Sequence, residues 1–179
     1  MPEVGTQHMV LTAVGPDRVG IVDDIAARIE EKGCNIEESR MAILGGEFAV
    51  IMLLTGSQEA ADILTSDASQ WGGKLNLRIE VRPTAPPRAP ESGLPYVVES
   101  TSLDTPGIVR SLATLLRKHA VNILELETET TAAPWTGSPL FHMRARVVVP
   151  PSVHITDLRE ELSALAHERA LDITISPLR

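Results

Sequence analysis

The sequence predicts an α+β chain in which one small module, ordered βαββαβ, is used twice. Three observations carry this. A strand, a polar turn and an amphipathic helix recur at Gly15-Pro16-Asp17-Arg18-Val19-Gly20-Ile21-Val22 and at Ser102-Leu103-Asp104-Thr105-Pro106-Gly107-Ile108-Val109. Gly20 and Gly107 stand 87 residues apart, and so do Asn35 and Asn122. Ile108, Leu112, Ala113 and Leu116 answer Ile21, Ile25, Ala26 and Ile29 at the same offset, which two unrelated helices have no reason to keep.

In chain order, residues 8–14 are short, apolar and β-prone, and read as a strand. The helix after them places Val22, Ile25, Ala26 and Ile29 on one face, predicted to be buried. Gly33 ends it, because glycine takes the left-handed conformation without a Cβ clash. Residues 35–44 and 47–55 form a hairpin around Gly45-Gly46. The second of these strands is apolar on both sides, Phe48, Val50, Met52 and Leu54 against Ala49, Ile51 and Leu53. That predicts cover on both faces. Ser57 caps a second helix running to about Trp71, with Gly72-Gly73 as its stop. Leu75, Leu77, Ile79 and Val81 alternate as a half-buried strand. The order is that of the ferredoxin-like plan, an antiparallel sheet with both helices on one face.

Residues 83–95 hold Pro83, Pro86, Pro87, Pro90 and Pro95, a density that opposes ladder pairing and favours extended chain. They read as a linker of about 40 Å reach, at about 3.1 Å per residue, between modules at 1–82 and 96–179 packed side by side. The second module repeats the plan. A strand spans 96–101, and Thr105 caps a helix with Pro106 at its first position. A strand from Asn122 ends near Thr131. A longer tip, 132–139, carries Trp135, and a strand follows at 140–149. Ser152 caps a helix with Leu158, Leu162, Leu165 and Ala166 on one face, and 171–176 is the last strand.

Composition narrows the function. Aromatics are only 3% of 179 residues, so the cores must rest on Val, Ile, Leu and Ala. The net charge of −8 disfavours a broad grip on phosphate backbones, which needs clustered Lys and Arg; only Arg144 and Arg146 alternate along one strand face. No run is long enough to span a membrane. Met1-Pro2-Glu3-Val4-Gly5 lacks the pattern of a secretion signal, and the single cysteine, Cys34, fits a reducing, cytoplasmic setting.

Catalytic patterns are missing. There is no nucleophile elbow, no phosphate-binding Gly-Lys-Ser/Thr loop and no Cys-x-x-Cys pair. His8, His119, His142, His154 and His167 have non-ligand spacings, so neither a metal nor another cofactor is expected. Asp23-Asp24 and Glu37-Glu38 read as solvated faces, and Cys34 as a packing residue.

The repeated turn does have a chemical capability. The first amides of a helix lack internal partners and carry the positive end of its dipole. Gly20 and Gly107 clear the approach for a small carboxylate. Asp17 and Asp104 carry the charge to hold an ammonium group. Asn35 and Asn122 offer both a donor and an acceptor. These groups complement a zwitterionic amino acid. They are equally explained as caps and strand starts.

Strand, Asp-x-x-Gly-Ile-Val, helix and Asn-Ile together resemble tandem ACT domains. Gly33-Cys34-Asn35-Ile36-Glu37-Glu38-Ser39-Arg40, with Leu44-Gly45-Gly46-Glu47-Phe48 and Ile51-Met52-Leu53-Leu54, resembles the glycine cleavage system transcriptional repressor family. That resemblance implies a ligand-responsive regulator, bound by glycine or a similar amino acid at a boundary between modules. It implies action on a transcription-activator protein without DNA contact, and a homodimer. The implied ligand residues are Asp17, Arg18, Val19, Gly20, Asn35 and Ile36, with Asp104, Thr105, Pro106, Gly107, Asn122 and Ile123 in the second module. Val19 stands where the pattern has proline, which Pro106 keeps, while in the second module Ala120 replaces the helix-ending glycine and the tip around Trp135 is no part of the pattern. The second copy is therefore expected to bind less well or to act as scaffold. Two rival readings stand beside this one. One is an interaction module without ligand, using Trp135 and the 48–54 strand. The other is a small enzyme or its regulatory half, for which formyltetrahydrofolate deformylases are the precedent, although this chain has no room for their hydrolase domain.

Overall fold

The computed structural model describes residues 6–86, 92–103, 105–134 and 136–178. Asp104, Trp135, the first five residues and residues 87–91 of the proline-rich segment lie outside the described residues. The chain divides into two compact units, 1–88 and 89–179. The first holds β1 (Gln7–Pro16), α1 (Ile21–Glu31), β2 (Asn35–Leu44), β3 (Glu47–Gly56), α2 (Gln58–Leu75) and β4 (Arg78–Thr84). The second holds β5 (Leu94–Leu103), α3 (Ile108–Lys118), β6 (Asn122–Ala132), β7 (Pro139–Val149), α4 (Ile155–Arg169) and β8 (Asp172–Pro177). Each unit is a four-stranded antiparallel sheet, in the orders β2-β3-β1-β4 and β6-β7-β5-β8. The doubled βαββαβ plan is therefore the observed fold.

Alternation along the strands builds the cores. Met9, Leu11 and Ala13 of β1 and Phe48, Val50, Met52 and Leu54 of β3 are buried beside the helix residues Ile21, Ile25 and Ile29. Each large aliphatic side chain so buried contributes about 1.5–3 kcal/mol. Val98, Met143, Ala145 and Val147 play the same part with Leu112 and Leu116 in the second unit.

All four helices are followed by a residue at positive φ, namely Gly33, Asn76, Ala120 and Ala170. Beyond each lies a buried apolar residue, Cys34, Leu77, Val121 or Leu171. In α1, Gly33 N donates to Glu30 O at 2.8 Å and Cys34 N to Ile29 O at 3.1 Å. In α3, Ala120 N donates to Arg117 O at 3.0 Å and Val121 N to Leu116 O at 2.9 Å. These are paired Schellman closures, stabilised by the apolar residue they deliver to the core.

Several expectations are corrected. Val22 is exposed and Ile21 takes its place, because a stripe at 21, 25 and 29 faces the sheet squarely. Gly72 and Gly73 lie inside α2, which runs on through Leu75. A Cβ at Gly72 would stand 2.6 Å from Leu77 O, so that glycine serves close packing. Ser57 does cap α2, accepting from Ala60 N at 3.1 Å. Thr105 and Pro106 precede α3, whose N-cap is Gly107; Ser111 N bonds back to Gly107 O at 2.9 Å, so the first turn starts there. Likewise His154 precedes α4, because Pro150 and Val153 close a turn that takes up Ser152. β4 continues through Pro83, which pairs with Met9 on an edge strand, where a missing N–H is tolerated. The 48–54 strand is covered on one face only, since Ala49 and Ile51 are exposed.

Candidate functional site

The two strand-to-helix corners share a backbone. Gly20 and Gly107 are the N-caps, at φ 86 and 95, and neither helix receives a side-chain cap among the described residues. The left-handed glycine turns the chain so that its carbonyl accepts the first helical bond, leaving the amides that follow without intrahelical partners. Asp17, Arg18 and the wholly exposed Val19 lie in the first turn, and Thr105 and Pro106 in the second, all exposed. Asp17 N is held by Gly46 O at 2.9 Å, which fixes the corner to the β2–β3 hairpin.

The side chains around the corners differ. In the first unit, Arg18 pairs with Asp24, and its guanidinium is the nearest group to the space above Gly20. Asp23 and Asp24 stand in the first turn of α1 and already complement its dipole. At the matching positions of the second unit stand Thr105, Arg110 and Ser111. The first turn of α3 therefore has no acidic residue and carries a cation beside the positive helix end. A Cβ placed on Gly107 would meet nothing within 4 Å. The first corner is electrostatically satisfied by its own side chains, whereas among the described residues the second corner has no acidic side chain. A bound carboxylate would be stabilised there by about 0.3–1 kcal/mol from the dipole alone.

The asparagines are elsewhere. Asn35 begins β2 opposite Thr55, which is itself opposite His8 at the start of β1. The corner lies at the other end of β1, so within one unit the turn and the asparagine are separated by the length of the sheet. Ile36 and Ile123 are half-buried and face the cores, paired with Leu54 and Val147. Asn35 Nδ2 donates to Glu37 Oε1 at 2.9 Å, and Thr55 Oγ1 donates to the same oxygen at 2.8 Å. These two bonds, with a smaller attraction from His8, hold the Glu37 carboxyl below the usual glutamate range. Glu37 sits at a bulge in β2. Its counterpart in β6 is Leu124.

The remaining polar candidates are structural. His142 sits between Thr101 Oγ1 at 3.2 Å and Thr131 Oγ1 at 3.1 Å. Cys34 is buried against Gly56, and that burial pushes its thiol pKa up, as suits a packing residue. Among the described residues no cluster of His, Cys, Asp and Glu has the makings of a metal site. No described helix is long and apolar enough to cross a membrane.

One feature escaped sequence reasoning. A cleft of about 640 Å³ runs between α4 and β8, with Leu162, Ala166, Ile173 and Ile175 among its walls and Arg159 and His167 beside them. Leu77 N bonds to Gly72 O and Leu171 N to Ala166 O, so Ala166 is the counterpart of Gly72. Glycine lets α2 lie against β4, burying Ile79 and Val81. Ala166 carries a methyl at the position of Gly72, and Ile173 and Ile175 are only half-buried. The signal was the Gly/Ala difference, unreadable until the two helices are aligned by their ends.

Comparison with known proteins completes the description. The ACT domain profile matches residues 7–82. The glycine cleavage system transcriptional repressor of Escherichia coli strain K12 is 35% identical over 167 residues, spanning 92% of this chain and 87% of that one. A crystal structure provisionally assigned as a glycine cleavage system transcriptional repressor superposes with a TM-score of 0.76 at 25% identity, covering 97% of this chain and 98% of the other. An unknown protein from Galdieria sulphuraria gives a TM-score of 0.84 at 32% identity, over 98% of this chain and all (100%) of its own.

Proposed function

The chain belongs to the glycine cleavage system transcriptional repressor family of tandem ACT-domain proteins, and from this premise we propose that it is a regulatory protein, not an enzyme, that binds a small amino acid such as glycine and relays its presence through protein contacts. The relayed partner is a transcription-activator protein, and neither DNA nor a membrane takes part. The observation that carries the reading is the second corner. A left-handed glycine N-cap, no acidic residue in the first turn and Arg110 beside it make a seat for one carboxylate.

The α-ammonium needs an acceptor of opposite character. Asn35 beside the ionised Glu37 has it. Corner and asparagine lie at opposite ends of any one sheet, so one amino acid cannot touch both within a single module. Binding regulates the protein only by favouring one of its states over another, since a ligand shifts an equilibrium only by differential affinity.

Thermal-shift and calorimetric titration of the chain with glycine, serine and other small amino acids tests this. A ligand at one hundred times its Kd should stabilise the chain by about 2.7 kcal/mol. Asn35→Ala and Glu37→Gln should weaken that response. Silence toward every candidate amino acid would refute the sensor.

A further inference from the structure

The side of each sheet turned away from its helices differs between the two units. On the first sheet the register sets out three rows: Glu38–Leu53–Val10–Arg82, Arg40–Ile51–Thr12–Glu80 and Ala42–Ala49–Val14–Arg78. The middle strands of this face are mostly apolar, and Val14 and Ile51 are 48% and 49% exposed. In the second sheet His142, Arg144 and Arg146 stand where Ala49, Ile51 and Leu53 stand in the first. Each finds a partner on its own face: Arg146 Nη1 lies 2.8 Å from Glu125 Oε1, Arg144 Nε 3.7 Å from Glu99 Oε1, and His142 rests between two threonines. The same fold thus carries a self-contained charged face in one copy and an uncovered apolar one in the other. The fold does not require the apolar residues, so something else accounts for them.

We propose that this face of the first unit is a self-association surface, on which two copies of the chain stack sheet to sheet about a twofold axis running along the strands. Such an axis sets the order β2-β3-β1-β4 against β4-β1-β3-β2, row upon row. Leu53 then meets the partner's Val10, Ile51 the partner's Thr12 and Ala49 the partner's Val14. At the edges Glu38, which lies 3.0 Å from Arg40 within its own chain, faces the partner's Arg82, and Arg40 the partner's Glu80. Opposite charges fall together on both edges in two successive rows, and the twofold repeats each pairing. That self-complementarity singles out a second copy as the occupant, because an isologous contact requires one patch to match itself. Stacked sheets lie about 10 Å apart and turned by roughly 30°, within reach of arginine and glutamate side chains. Four strands about 4.8 Å apart and some eight residues of about 3.4 Å give a face on the order of 500 Å². Two such faces bury on the order of 1,000 Å², the lower limit of a specific interface, so the dimer is reversible and concentration-dependent.

Sedimentation velocity of the chain over a wide concentration range tests this. A reversible monomer–dimer equilibrium is expected. Ile51→Arg should weaken it at least tenfold while far-UV circular dichroism and Trp71 fluorescence stay native, since the fold already accepts Arg144 at the matching position. Glu38→Arg and Arg82→Glu should each weaken the dimer, and the double variant should restore it. A chain that stays monomeric at several hundred micromolar overturns the proposal. So does an Ile51→Arg dimer as tight as the parent, or a double variant no tighter than its single parents. None of these readouts depends on an amino acid being bound.

Discussion

Replacing Gly33 with alanine isolates the backbone term at the end of α1. Gly33 sits at φ 72, and a Cβ built there meets nothing within 4 Å, so the substitution adds no clash. What remains is the conformational cost of a left-handed L-residue, about 1–2 kcal/mol. Against it stands the smaller entropy of the unfolded alanine chain, which recovers about 0.4–1 kcal/mol. The net loss is about 1 kcal/mol. The reverse substitution, Ala120→Gly at φ 52, should gain a similar amount in the second unit. The assay is urea unfolding in a Trp135→Phe background, so that buried Trp71 alone reports the first unit. With a slope of about 1–2 kcal/mol per molar, the Gly33→Ala midpoint should fall by roughly 0.5–1 M. Slowed amide exchange in β5 and β7 should report the gain from Ala120→Gly. If both variants unfold like the parent, positive φ is not what Gly33 is there for, and the account of the four helix ends fails.

Gly72→Ala should destabilise the first unit by about 1–2 kcal/mol, overpacking against Leu77 O and Ile79 N outweighing the gain in helix propensity; thermal melts followed by Trp71 fluorescence would register it. The Glu37 carboxylate, lowered in the folded chain, contributes stability above the ordinary glutamate range, and that contribution is lost as pH falls through its folded value. Asn35→Ala should move its titration upward, as read by NMR of the side-chain carboxyl. Asp24→Asn should release Arg18 and remove a charge from the first turn of α1, at a cost of about 0.3–1 kcal/mol. It should also raise the calorimetric response of the first corner to glycine; an unchanged response would count against self-occupation of that corner.

Legibility followed locality. Gly45-Gly46 was readable because both residues sit at positive φ, 61 and 82, where glycine is strongly favoured. Ala120 and Ala170 were not, because alanine enters that region only when burial of Val121 and Leu171 compensates. Gly72-Gly73 misled in the other direction: the closeness of β4, not a helix end, requires Gly72. The Asp-x-x-Gly-Ile-Val pattern marks where α1 and α3 begin, but the cap that the sequence assigns to Thr105 is provided by Gly107.

By itself the sequence determined that there are two modules and the order of their elements, because periodicity and an 87-residue repeat are properties of the linear chain. Only the tertiary structure decided that Asn35 leans on Glu37 and Thr55, and that the corner and the asparagine lie at opposite ends of a sheet. It also decided that one sheet neutralises its outer face while the other leaves it apolar. Those facts depend on cross-strand register, which joins residues far apart in sequence and leaves no trace in local spacing.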